Sequence, residues 1–103
     1  MTHRPSYVPQ IVSFDFPNQT ESDQRKQAVL LAACSAITDL IRDDVLTDTG
    51  EVIAAFHIET ANLRTGKDWS AIQERIETLL READNVGEQA AIFRDAVAKL
   101  RKN

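Results

Sequence analysis

The sequence predicts an all-α fold, a small bundle of three to four helices behind an extended N-terminal arm. Three observations carry that expectation. All three prolines, Pro5, Pro9 and Pro17, fall in the first twenty residues, where they disfavour a helix. Apolar residues then recur every three or four positions, and the three glycines, Gly50, Gly66 and Gly87, stand singly where helices would start or stop. With 103 residues, 43% hydrophobic and 27% charged, the chain fits one domain. The expected division is an arm over residues 1–20 and a single helical domain over 21–103.

In the arm, Val12, Phe14 and Phe16 alternate with Ser13 and Asp15, a strand-like period with one apolar edge. These side chains either dock on the protein's own core or add a strand to a partner. Thr20 to Asp23 offers several helix caps, and the first helix is expected from Ser22 to Val45. Leu30, Cys34, Ile37, Ile41 and Val45 form its stripe, widened by Val29, Ala33, Ala36 and Leu40, so it should pack against more than one neighbour. Asp48 with Glu51 has the spacing of a capping box that starts a second helix. Val52, Ile53, Phe56 and Leu63 share one side of it, and Gly66 supplies a stop. The same stretch also alternates as a strand would. An α+β alternative, with residues 11–16 paired to residues 52–60, therefore stays open.

Asp68 is the expected N-cap of a third helix. From there Trp69, Ile72, Ile76, Leu79, Ala83, Val86, Ala90, Phe93, Val97 and Leu100 follow steps of three and four. As one rod, residues 69–101 would span roughly 50 Å and need a second chain to cover them. Asn85 and Gly87 point instead to a hairpin of two helices, about 69–84 and 86–101.

Cys34 is the only cysteine; in an apolar run it reads as a small buried hydrophobe, and the absence of cysteine pairs fits a reducing, cytoplasmic setting. His3 and His57 have no metal-ligand partner one helical turn away, and no nucleophile elbow or glycine-rich phosphate loop is present. No catalytic residue, cofactor or metal is expected, and the chain reads as no enzyme. Residues 15–59 hold nine acidic and three basic side chains, and the Asp43, Asp44, Asp48 and Glu51 cluster reads as solvated helix ends. No segment is apolar and long enough for a membrane.

Two local resemblances stand beside this reading. Leu31-Ala32-Ala33-Cys34 resembles a bacterial lipobox, although the apolar run before it is shorter than a signal-peptide core. Thr49 to Arg64 resembles the helix-turn-helix that opens MerR-type regulators, with its Gly-Glu-Val start and Leu-Arg end. The resemblance places the turn at His57 and implies DNA contacts from Arg64 and Lys67. With so few basic residues nearby, charge argues against nucleic acid as the main partner.

The expected function is a noncatalytic helical interaction module, an adaptor, regulator or inhibitor, binding a protein partner and self-associating as a dimer. Trp69, Ile72, Ile76, Leu79, Phe93, Val97 and Leu100 are its core or interaction face, and Val12, Phe14 and Phe16 its arm contacts. A dimeric helix-turn-helix regulator is the alternative. A small ligand-binding bundle or enzyme, with His57 and nearby acids in a pocket, is the second alternative.

Overall fold

The computed structural model describes residues 16–102. It shows an all-α bundle of four helices: α1 (Glu21–Arg42), α2 (Thr49–Glu59), α3 (Lys67–Glu82) and α4 (Val86–Lys102), with a 3-10 segment, Ala61–Thr65, between α2 and α3. Residues 52–60 are helical but for Thr60, the cap of α2, so the strand alternative is overturned. Val12 and Phe14 lie outside the described residues.

Thr20 is the cap that α1 uses. Its hydroxyl accepts from the Asp23 N–H at 3.0 Å, and the Asp23 carboxylate accepts from the Thr20 N–H at 3.3 Å, a reciprocal capping box. Asp23 also accepts from the indole N–H of Trp69 at 2.9 Å, and this bond, more than any other cause, holds its carboxyl below the usual carboxylate range. Phe16 is buried and stacks on Trp69 with ring centroids 6.4 Å apart. The end of the arm therefore docks on the protein's own core, at the start of α3.

α1 stops at Arg42, three residues before the expected Val45. The reason is a Schellman turn made without glycine. Asp44 adopts φ 61°, Val45 N–H donates to the Leu40 carbonyl at 2.9 Å, and Asp44 N–H donates to that of Ile41 at 3.2 Å. Val45 is left 61% exposed, and Leu40 and Ala36 also face solvent, so the far edge of the predicted stripe is not core.

Asp48 caps α2 by accepting from the N–H groups of Gly50 and Glu51. Glu51 reaches past the cap to Thr47 N–H rather than back to Asp48. α2 ends at Glu59, where Thr60 caps it by bonding the Phe56 carbonyl through both its N–H and its hydroxyl. Gly66 is thus not the stop of α2. It ends the 3-10 segment and is at the same time the N-cap of α3, in extended backbone, and Asp68 lies in the first turn instead, where its charge favours the positive end of the helix dipole.

The hairpin is what forms. Ala83 turns to extended backbone, Asn85 accepts from Glu88 N–H at 2.9 Å, and Glu88 accepts from Asp84 N–H at 2.7 Å. The Trp69 to Leu100 stripe folds onto itself: Trp69, Ile72, Ile76, Leu79, Ala90, Phe93 and Leu100 are buried, and Val97 is partly buried against them. Leu80, Ile92 and Ala96, outside that register, are fully buried too. α1 packs chiefly on α4 and runs antiparallel to it, with Arg42 near Gly87 and Ser35 near Arg101. Phe56 of α2 meets Phe93 of α4 at 5.6 Å. Gln89 ties three helices by donating to the carbonyls of Thr49 and Leu80. None of the described helices is long and apolar enough to cross a membrane.

Candidate functional site

α3 carries an unusual row on its inner side. Gln73 and Glu77, one turn apart, are as buried as the aliphatic residues around them. A buried carboxylate is costly unless its oxygens are bonded, and those of Glu77 are. Gln73 donates its amide to Oε2, His57 of α2 donates Nδ1–H to the same oxygen at 2.9 Å, and Arg81 donates to Oε1 at 3.1 Å. Behind them Gln73 also reaches the Thr60 hydroxyl at 3.5 Å. Arg64, on the 3-10 segment, folds back over the end of α2 and donates to the His57 carbonyl at 2.9 Å. That position suits a guanidinium, because helix C-termini carry partial negative charge.

These groups line a groove of about 430 Å³ together with Glu74 and Thr78. The Glu77 side chain is 6% exposed, whereas His57 and Arg81 are 52% and 61% exposed. A buried acid therefore holds an imidazole and a guanidinium at the surface. The bond between Nδ1 and Glu77 orients the imidazole. Beside the pair, the Thr78 hydroxyl donates to the Glu74 carbonyl, the usual backbone bond of a helical threonine. A larger hollow, about 530 Å³, lies where Phe16 to Thr20 meets α3. Its Asp23 carboxylate is already engaged by Trp69 and the α1 cap.

The residues singled out from the sequence are distributed differently. The seven of the stripe belong to the core or its edge, and Phe16 to the core. Arg64 and Lys67 are exposed, with Arg64 turned onto His57. The helix-turn-helix register is not formed: His57 lies inside a continuous helix, and no turn interrupts Thr49–Glu59. Cys34 is fully buried, and burial pushes its thiol up to about 12. Glu77, Gln73 and Arg81 were missed, because the partner of His57 comes from another helix twenty residues on. A usable signal was present in Trp69, Gln73, Glu77 and Leu80, which share one row of α3. Among the described residues no group of three His, Cys, Asp or Glu side chains gathers to hold a metal.

No protein-family model matches this chain, and no curated protein or solved structure matches it significantly.

Proposed function

We propose that the protein is a noncatalytic interaction module that recognises a protein partner through the outer face of α2. The observation that carries this reading is an exposed apolar strip on α2, flanked by Glu51 and His57, in addition to its buried side. Val52 and Phe56 point into the core, while Ile58 is 70% exposed, with Ala54 one turn before it and Ala61 just after it also exposed. Helices that only cover a core are polar outside. A partner that covered Ile58 would gain roughly 1.5–3 kcal/mol from that side chain alone. The Trp69 to Leu100 stripe is enclosed within the chain, so a partner must use another surface.

The test is selection of a random peptide library against the full chain, with fluorescence polarisation of the selected peptides on the wild-type and Ile58→Gln proteins. Selected peptides should bind the variant about tenfold more weakly, the size of effect expected of a central apolar anchor. Peptides that bind both proteins alike, or a selection that returns none, would overturn the reading.

A further inference from the structure

We infer that the groove beside α2 is a carboxylate-binding site, and that it receives an acidic side chain of a peptide whose neighbouring aliphatic residue lies on Ile58. This rests on the reading of α2 as the recognition helix and adds the chemistry of what it recognises. Both oxygens of Glu77 are occupied, by Gln73 and His57 on one side and by Arg81 on the other. The acceptor at the floor of the groove is therefore already satisfied from within the fold.

Donors remain. A guanidinium has five N–H groups in a planar fork; Arg81 commits one nitrogen to Glu77, and Arg64 one to the α2 end at His57. Both side chains reach the same groove, one from α3 and one from the 3-10 segment, and both are exposed. Two such forks facing one hollow match a carboxylate, which can accept from both. The groove, about 430 Å³, has room for a side chain of that size. Of the two carboxylates that line the groove, Glu77 is bonded to three side chains, and Glu74 stands at the rim.

The role of Glu77 follows. Its buried charge fixes His57 and Arg81 in place before any ligand arrives, which lowers the entropy lost on binding. Glu74 opposes an incoming carboxylate, and its removal should strengthen binding. His57 joins α2 to the groove: its ring contacts Glu77 while the next residue, Ile58, faces outward. One short segment with adjacent aliphatic and acidic side chains therefore spans both features.

The experiment is a double-mutant cycle. Peptides selected on the full chain are compared with versions in which Glu or Asp is replaced by its amide, against wild type and an Arg64→Gln/Arg81→Gln protein whose folding is verified by circular dichroism. The amide change should weaken binding about tenfold on wild type and leave it nearly unchanged on the variant. Glu74→Gln should tighten the acidic peptides alone. A second arm titrates sodium acetate against sodium chloride at equal ionic strength, read on the side-chain N–H signals of Arg64 and Arg81. Acetate should move these two more than it moves the other arginines. Peptides that require Ile58 but carry no needed acid would overturn the carboxylate site and leave the α2 reading standing. Acetate shifts at the groove with peptides indifferent to Ile58→Gln would support the site and overturn the α2 reading. Acetate shifts no greater than those of chloride, or spread evenly over all arginines, would count against the site.

Discussion

α2 and α3 lie against each other and use apolar residues in opposite ways. α3 buries Trp69, Ile72, Ile76, Leu79 and Leu80 and turns Glu74, Arg75, Thr78, Arg81 and Glu82 outward. Its apolar residues are accounted for by the need to cover one core, and only Gln73 and Glu77 among its buried residues are polar. α2 buries Val52 and Phe56 yet also presents Ala54 and Ile58 to solvent. Folding alone gives no reason for the second pair. The difference separates residues that hold the bundle together from residues available for contact with another molecule.

The largest expected effect tests that separation directly. Ile76, fully buried, should cost about 2–5 kcal/mol when changed to alanine, because the transfer energy and the cavity add. Ile58→Gln should change stability by no more than about 0.5 kcal/mol, as exposed substitutions do. Urea unfolding of the two variants gives both numbers. Similar losses would mean that Ile58 is covered within the monomer, and the contrast between the helices would collapse.

A second pair of substitutions asks whether the buried polar row of α3 serves stability. Glu77→Met removes the carboxylate and leaves the Gln73 amide only its 3.5 Å contact to the Thr60 hydroxyl, at a cost of about 1–3 kcal/mol. His57 and Arg81, being half exposed, can return to water. Adding Gln73→Leu removes that donor, and the double variant should recover to within about 1 kcal/mol of wild type, since apolar replacements of buried ionic groups are often neutral. Failure of that recovery would show that the row is structural after all.

Acid should act on α3 through Asp23. Its carboxyl is held low, first by the Trp69 indole and then by the cap N–H groups, against an opposing effect of burial. The folded state thus favours the ionised form. That stabilisation is complete above the unfolded value, near 3.8, and is lost as pH falls through the lower folded value. Asp23→Asn should reduce the melting temperature at neutral pH and flatten the acid limb of the profile. An acid limb identical to that of wild type would assign the loss to other carboxylates.

These contrasts also show what was legible beforehand. Helix positions followed from periodicity, and the α3 to α4 break followed from Asn85 and Gly87, because those are local signals. Glu88 takes up the cap that Asn85 starts. The α2 strand alternative arose because Val52, Ala54, Phe56, Ile58 and Thr60 alternate in a helix with an exposed apolar strip besides its buried side; such a helix cannot be told from a strand by period alone. The groove escaped because His57 and Glu77 meet only through the tertiary fold. Gly66 stops the 3-10 segment and not α2, for a different reason. Glycine marks a boundary but not its direction, and here Thr60 had already ended α2 with its own hydroxyl.

The smallest expected effect concerns the turn that leads into α2. Asp44 holds a left-handed conformation at φ 61°, which costs a residue with a Cβ more than it costs glycine. Its N–H and that of Val45 close the Schellman turn on Ile41 and Leu40, so the backbone there cannot relax without opening the end of α1. Asp44→Gly should relieve the strain at the C′ position and raise stability by about 0.5–1 kcal/mol, offset in part by the greater freedom of glycine in the unfolded chain. Thermal unfolding measures the net gain. The substitution touches neither face of α2, so peptide affinity at Ile58 should stay constant while the melting temperature rises. If affinity changed with it, the turn would be setting the orientation of α2, and the outer face could not be treated as independent of the fold that carries it.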